Sequence, residues 1–258
     1  TIADALRGVP GFHVRRLNAS KFAISSRGDN GRYANKLLVL IDGRSVYTPL
    51  FSGVYWEIQD LPIEDIARIE VIRGPGATLW GANAVNGVIN IVTKDVRDTQ
   101  GGYVKFWLGN VVDYETEFRY GDQLGDDVFY KLWGKTFDRG ESEYSTGQDA
   151  DDSWRGGHFG LKLDWYMTPK DTHSFQVNFS KLDVGGTSSI LNQYAALPVG
   201  LPGVPAGTMI YDLDEMSSDN EWQKRNLMWT WTKHLKAASG WTFKAYYDYS
   251  KNEDLVIG

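Results

Sequence analysis

The sequence predicts two units of different kinds: a small α+β domain over residues 1–95, and long antiparallel strands typical of a transmembrane β-barrel over residues 96–258. Aromatic residues divide unevenly between them, with 8 in the first hundred residues and 27 after these. Charge also divides, because the first hundred residues hold 12 Lys and Arg against 10 Asp and Glu, whereas the remainder holds 15 against 23. From residue 101 onwards, apolar residues recur with a period of two, as in strands.

Composition excludes several classes of protein. The chain is 42% hydrophobic, which is ordinary for a folded protein. Its longest apolar run, Leu37 to Ile41, is far shorter than the roughly 18 to 20 residues of a membrane-spanning helix. With no cysteine and four histidines, no disulfide framework, metal site or cofactor site is expected. Neither unit is strongly basic, so no nucleic-acid partner is predicted.

The N-terminal elements begin with a short helix. Thr1 is a suitable N-cap with Asp4 in the capping-box region, and the helix is expected to run through Arg7 until Val9-Pro10-Gly11 ends it. Two short β-rich runs follow, at Phe12 to Arg16 and Phe22 to Ser26.

A central hairpin is predicted next. Leu37 to Ile41 is apolar on both faces, as in a buried strand, and Asp42-Gly43 is a tight-turn signal before Arg44-Ser45-Val46. Pro62, followed by two acids, favours the start of a short helix. The domain is expected to end with a strand, a turn, a helical turn and a second strand, at Ile69 to Arg73, Gly74 to Gly76, Thr78 to Asn83 and Val88 to Thr93.

Catalytic motifs are missing from the sequence. The spacing of Gly74, Gly76 and Gly81 fits neither the dinucleotide fingerprint nor the P-loop, and no Lys-Ser/Thr pair follows. Neither a nucleophile elbow nor an H-E-x-x-H zinc motif occurs. The chain is therefore not expected to be an enzyme.

The second unit alternates apolar and polar residues over unusually long stretches. In 158–167, for example, Phe159, Leu161 and Leu163 share one face, while His158 and Lys162 lie on the other. Soluble strands average about 5 to 6 residues, whereas transmembrane strands need about 9 to 11 with aromatic residues at their ends. Seven strands are predicted, near 102–109, 114–120, 128–137, 158–167, 174–180, 226–235 and 241–250.

The connections between these strands alternate in length. Residues 168–171 and 236–240 form tight turns, whereas 139–153 and 185–220 form long loops, the pattern of short periplasmic turns and long extracellular loops. A soluble all-β domain is the alternative. Seven strands do not close a bacterial barrel, so an incomplete barrel is expected. On strand parity, six charged residues face the lumen and are most simply solvated wall residues: Lys131, Lys135, Lys162, Asp164, Lys244 and Asp248.

Three runs in the first unit identify a family. Leu38 to Arg44, Ile69 to Pro75 and Leu79 to Lys94 closely resemble, in order and spacing, the plug of TonB-dependent outer-membrane receptors. The resemblance covers nearly all of residues 1–95. One departure is Asn86, a position that is commonly glycine in the family. The resemblance implies a plug domain inside a barrel of roughly 22 strands, of which the seven predicted here are the first.

The resemblance also implies a function. Members of the family take up a scarce, bulky solute, typically a ferric siderophore or a cobalamin, across the outer membrane. Energy reaches them through TonB, which binds a short segment expected upstream of Thr1. The alternative is a ligand-sensing signalling receptor, whose extra domain would also lie upstream of Thr1. A passive porin is disfavoured because the first unit is large enough to fill a channel.

Two arginines and one loop are the candidate functional residues that the resemblance implies. Arg27 and Arg73 match plug arginines that pair with barrel glutamates, with partners expected beyond Gly258; the alternative is that both are surface residues. The segment after the hairpin matches an apical plug loop that contacts ligand, and its aromatic residues suit a bulky organic ligand. Phe51 and Trp56 alternatively pack inside the plug. The expected ligand contacts are Tyr47, Thr48, Pro49, Leu50, Phe51, Ser52, Tyr55 and Trp56.

Overall fold

Three β-sheets make up the described part of the chain. The computed structural model describes residues 1–26, 34–48, 52–81, 83–110, 112–143, 146–196, 209–236 and 239–256. Within these ranges, the chain forms one sheet of two strands, one of four and one of seven. The predicted fold class, an α+β domain followed by seven antiparallel strands, is confirmed.

The N-terminal helix has the predicted cap. The Thr1 side chain accepts a hydrogen bond from the Asp4 backbone N–H, and the Asp4 side chain reaches back to the cap. Helix α1 ends earlier than predicted, spanning Ile2–Ala5, and a 3-10 helix at Leu6–Gly8 completes it. The two-stranded sheet that follows pairs β1 (His13–Arg16) antiparallel to β2 (Phe22–Ser25).

The four-stranded sheet is built on the predicted central hairpin. Asp42 and Gly43 have φ angles of 50° and 76°, the left-handed values that a two-residue hairpin turn needs. The Asp42 carboxylate accepts hydrogen bonds from the backbone and hydroxyl of Thr93, both at 2.9 Å, which fixes the turn to the neighbouring strand. The strands are β3 (Leu37–Ile41), β4 (Arg44–Ser45), β5 (Ile66–Arg73) and β6 (Gly87–Thr93). Their order in the sheet is β4-β3-β6-β5.

Short helices and an apolar core complete this first unit, which we call the N-terminal domain. Two 3-10 helices, Trp56–Ile58 and Ile63–Asp65, lie between β4 and β5, and helix α2 (Ala77–Trp80) lies between β5 and β6. None of the helices in the described ranges has the length and apolar character to cross a membrane. The core buries Ile2, Leu6, Phe22, Ile24, Leu37, Val39, Ile41, Trp56, Ile89 and Ile91, among others.

The seven-stranded sheet, which we call the wall, joins each strand antiparallel to its neighbours in sequence. The predicted alternation is confirmed, because Phe159 and Leu161 are exposed on its outer face while His158 and Lys135 are buried on its inner face. Its strands are β7 (Gly101–Trp107), β8 (Val112–Leu124), β9 (Val128–Arg139), β10 (Trp154–Thr168), β11 (Asp171–Ala196), β12 (Met209–Lys236) and β13 (Ser239–Val256).

The predicted long loop over residues 185–220 is wrong. Strands β11 and β12 continue through most of it as a paired hairpin, from Val184 opposite Asn220 to Gln193 opposite Tyr211. The prediction relied on the alternation of apolar and polar residues, and residues 185–193 do not alternate in this way. The remainder of the predicted loop, residues 197–208, lies outside the described residues.

The two ends of the wall differ. Residues 125–127 and 169–170 form tight turns at one end, which we call the turn end. Residues 140–153 connect β9 to β10 at the opposite end, which we call the loop end. The N-terminal domain contacts the inner face of the wall along this length, with an apolar cluster that includes Ile58 and Trp222.

Candidate functional site

A cavity of about 290 Å³ separates the N-terminal domain from strands β12 and β13. It lies near the loop end, because Trp222 pairs with Leu182, and Leu182 pairs with Gly156 close to the start of β10. We call it the interface cavity. The N-terminal domain lines it with Arg44, Ser45, Val46, Tyr47, Thr48, Tyr55, Ile58 and Gln59, and the wall with Trp222, Lys224, Asp248, Tyr249 and Ser250.

The hairpin places Tyr47 and Thr48 at this cavity. The Val46 N–H donates to the Val39 carbonyl at 3.1 Å, so the chain stays paired just beyond β4. The Tyr47 hydroxyl donates to the Leu37 carbonyl, and burial raises the pKa of this phenol to about 12. Tyr47 is therefore a neutral hydrogen-bond donor at physiological pH.

Backbone hydrogen bonds hold the two ends of the predicted ligand loop together. The Thr48 N–H donates to the Gly53 carbonyl at 2.8 Å, and the Ser52 N–H donates to the Thr48 carbonyl at 3.0 Å. The bend places Ser52, with a φ of 55°, on the surface. Three predicted contacts on this loop lie outside the described residues: Pro49, Leu50 and Phe51.

Aromatic rings form much of the interface cavity. Tyr55 packs against Trp222 with ring centroids 4.7 Å apart, which brings the N-terminal domain and the wall into direct contact. Tyr47 lines the cavity as well. Trp56, predicted as a ligand contact, is 8% exposed and packs in the core of the N-terminal domain, the alternative position considered for it.

Charged groups line the same cavity. The Arg44 guanidinium donates to the Asp248 carboxylate at 2.7 Å across the interface, and Asn226 donates to the same oxygen at 3.1 Å. The Lys224 ammonium donates to the side-chain oxygen of Gln59 at 2.5 Å. The cavity therefore combines aromatic surface with two cations and one carboxylate.

A second contact region lies between the interface cavity and the turn end. Here Asp60 and Asp65 of the N-terminal domain pair with cations of β8 and β9, and we call this region the ionic interface. The Asp65 carboxylate binds Lys131 at 2.9 Å, and the Asp60 carboxylate binds Lys135 at 2.8 Å. Arg119 and Arg139 lie at 3.5 and 3.8 Å from the same two carboxylates.

Two wall glutamates complete the ionic interface. Lys135 also binds Glu115 at 2.8 Å and Glu117 at 3.3 Å. Arg139 binds Glu115 at 2.6 Å. Burial acts to raise the pKa of Asp60, but the neighbouring Lys135 and Arg139 outweigh it and hold that pKa well below the usual range.

The ionic interface corrects the interpretation of the lumen-facing lysines as solvated wall residues. Parity placed Lys131 and Lys135 on the correct face, but both are 1% exposed and paired with acids of the N-terminal domain. Asp248 is likewise paired, with Arg44. Lys131, Lys135 and Arg139 recur every four residues on one inward face, a run of three cations that requires counter-charges once buried.

Of the two predicted plug arginines, Arg73 is described and contributes nothing to this region. Arg73 is exposed, and its guanidinium donates to the Pro10 carbonyl at 3.3 Å. Arg27 lies outside the described residues. In the described part of the chain, the acids that cross the ionic interface belong to the N-terminal domain and the cations to the wall. The predicted contacts had the reverse arrangement, with arginines on the N-terminal domain and glutamates on the barrel. The described residues bring together no cluster of three histidines or acids suited to a metal ion.

Comparison with known proteins identifies relatives of both units. Residues 1–88 match the model of the TonB-dependent Receptor Plug Domain. The iron-regulated outer membrane virulence protein of Vibrio cholerae is 32% identical over 195 residues, which cover 70% of this chain and 28% of that protein. The vitamin B12 transporter BtuB of Vibrio vulnificus is 29% identical over 164 residues, which cover 63% of this chain and 25% of that protein.

Solved structures share the fold. The crystal structure of the siderophore receptor PirA from Acinetobacter baumannii superimposes with a TM-score of 0.57 at 19% identity, over 98% of this chain and 42% of that one. At this identity the likeness concerns the fold alone. The chain spans between a quarter and a third of the length of the curated relatives it matches.

Proposed function

We propose that this chain, which belongs to the TonB-dependent receptors of the bacterial outer membrane, imports a scarce, bulky solute with energy supplied through TonB. The observation that carries the proposal is the interface cavity, which the N-terminal domain and the wall build together. A ligand bound there contacts both units. Movement of the N-terminal domain, which we now call the plug, would therefore change the affinity for ligand.

The position of the interface cavity suits capture from outside the cell. In outer-membrane barrels short turns lie on the periplasmic side and long loops outside, so the loop end is the extracellular end. The cavity volume of about 290 Å³ is at the lower end of ligand pockets, which are about 300–1,000 Å³. It accommodates one part of a bulky solute, while surrounding loops cover the rest.

We assign ligand contact to the aromatic and polar groups of the apical plug segment. Tyr47, Thr48 and Tyr55 line the cavity, Ser52 lies on the adjoining surface, and Pro49 to Phe51 complete the loop. Trp56 supports them from the plug core. The ligand remains a ferric siderophore or a cobalamin-like compound.

The proposal also assigns contacts beyond the ligand. Arg27 and Arg73 pair with barrel glutamates; an exposed guanidinium with one described acceptor retains donors for such a pair. TonB binds a segment upstream of Thr1. Outward apolar residues such as Phe159 and Leu161 contact the lipid of the outer membrane.

The test is uptake by bacteria that express the complete gene in a strain without other receptors of this class. Labelled ferric siderophores and cyanocobalamin are supplied in the presence and absence of TonB. We expect accumulation of at least one solute, dependent on TonB, and a loss of at least tenfold in Tyr55→Ala. Tyr247→Ala, which removes an exposed ring from the outer face, is the matched control and should transport normally.

Two results would contradict the proposal. Uptake that is independent of TonB would indicate a passive channel. A ligand-dependent transcriptional response without accumulation of any solute would indicate the signalling receptor instead.

A further inference from the structure

The charges that line the interface cavity do not balance. Arg44 and Asp248 neutralise each other at 2.7 Å. Lys224 is the remaining charged group of the cavity lining, and its described partner is the neutral side-chain amide of Gln59. Among the described residues Lys224 forms no ion pair, so the cavity carries one uncompensated positive charge.

The carboxylate of Asp248 cannot easily serve as the missing partner. Its Oδ1 atom already accepts hydrogen bonds from Arg44 at 2.7 Å and from Asn226 at 3.1 Å. Arg44 is 4% exposed, and taking its counter-ion away would leave a buried guanidinium unpaired. Asp248 is therefore committed to Arg44.

An amide is a weak partner for a desolvated ammonium group. Burying a charge is unfavourable unless an opposite charge compensates it, and hydrogen bonds in which both groups are ionised are the stronger ones. Lys224 extends from strand β12 of the wall to the plug, where the side-chain oxygen of Gln59 accepts a hydrogen bond from it. An anionic oxygen that enters the cavity therefore improves the environment of Lys224, whereas a neutral ligand does not.

The surrounding rings restrict the shape of such an anion. Tyr47, Tyr55 and Trp222 line the same cavity, and flat aromatic surfaces pack well against planar groups. Resting on the transport function proposed above, we infer that Lys224 selects an anionic solute that presents negatively charged oxygen atoms on planar aromatic groups. A tris-catecholate iron complex has this chemistry, whereas hydroxamate complexes and cobalamins lack it.

Two synthetic iron complexes on the same backbone test this inference. The ferric complex of a hexadentate tris-catecholamide carries three negative charges, and that of the matching tris-hydroxamate carries none. Binding of each to the intact protein, produced from its complete gene in detergent, is measured by quenching of tryptophan fluorescence. We expect the anionic complex to bind at least tenfold more tightly.

Variants assign the preference to Lys224. Lys224→Met should weaken binding of the anionic complex by about 10- to 100-fold, the range for hydrogen bonds to charged groups, and leave the neutral complex unchanged. Lys224→Arg should retain the preference because it keeps the charge. Lys244→Met is the matched control, because this neighbouring lysine binds the Asp42 carbonyl outside the cavity and its loss should not alter the preference.

The outcomes separate this inference from the transport function. Equal binding of both complexes, or a preference that Lys224→Met leaves intact, would overturn the role of Lys224 while transport stands. TonB-dependent uptake of a neutral solute alone would do the same. If no solute binds and none is taken up, the transport function fails, and with it this inference.

Discussion

Replacing Lys135 should release the plug from the wall more than any other single change in the ionic interface. The Lys135 ammonium contacts Asp60 and Glu115 at 2.8 Å and Glu117 at 3.3 Å, and all four side chains are at most 5% exposed. Lys135→Met leaves three buried carboxylates, and within the described ranges the ion pairs that remain to them are those of Arg139 with Asp60 and Glu115. Asp60→Asn, in contrast, leaves Lys135 with two glutamates.

The magnitude follows from these distances. At an effective dielectric constant of about 20, a contact at 2.8 Å contributes a gross attraction of about 6 kcal/mol, most of which offsets the desolvation of the two ions. Removing one partner of such a pair costs about 3–5 kcal/mol, because the desolvated charge that remains is uncompensated. We expect Lys135→Met to lower the free energy of unfolding of the plug by this amount, and Asp60→Asn to lower it by about 1–3 kcal/mol.

An exposed pair across the same interface provides the matched control. Lys105 binds Glu64 of the plug at 3.1 Å, but both side chains are about half exposed. Exposed pairs contribute about 0–1 kcal/mol, so Lys105→Met should have little effect. The assay is urea unfolding of the intact protein in detergent, followed by loss of hydrogen-exchange protection in β3 and β6. Equal effects of Lys135→Met and Lys105→Met would refute this reasoning.

Three further predictions concern the plug. Because the pKa of Asp60 is depressed in the folded state, its stabilisation is present above about pH 4 and is lost progressively as the pH falls towards the folded pKa, so the difference in unfolding free energy between wild type and Asp60→Asn should be smaller at pH 3 than at pH 6 in urea unfolding. Gly87→Ala would place a Cβ 2.5 Å from the Ile72 carbonyl at a φ of 156°, and thermal unfolding should show a loss of about 1–3 kcal/mol that Gly8→Ala, with open space around it, does not show. Tyr47→Phe should lower the free energy of unfolding by about 0.5–1.5 kcal/mol in the same assay and remove one tyrosine from the titration near pH 12.

Local signals predicted the secondary structure of this protein well. The capping box at Thr1 and the turn at Asp42-Gly43 depend on residues a few positions apart, and both are formed as predicted. The face predicted for each wall residue from its position in the alternation was also correct, because lipid and lumen impose different chemistry on the two faces of a strand. Where apolar and polar residues do not alternate, as from Gly185 to Gln193, this signal is missing and the strand was not predicted.

Contacts between residues that are far apart in the sequence could not be predicted. Asp60 and Lys135 are 75 positions apart, and nothing local to either one identifies the other. The acids at Glu64 and Asp65 have a sufficient local explanation as the start of a short helix, which concealed the role of Asp65 in binding Lys131. The interface cavity was predicted on its plug side alone, since Trp222, Lys224 and Asp248 enter it only through the register of β12 and β13.

The chemistry of the plug interface changes along the wall. Towards the loop end, Tyr55 and Ile58 pack against Trp222 and other apolar side chains, whereas towards the turn end the contacts are ion pairs. An apolar contact loses its full burial energy on separation, in proportion to the area exposed. A buried ion pair loses a large attraction but regains the hydration of both ions, so its net contribution is small once water enters. For a plug that moves during transport, as proposed here, the periplasmic half of the interface is therefore the easier one to separate from the wall, because water can enter and hydrate its ions. The half that holds the ligand stays packed against the wall for longer.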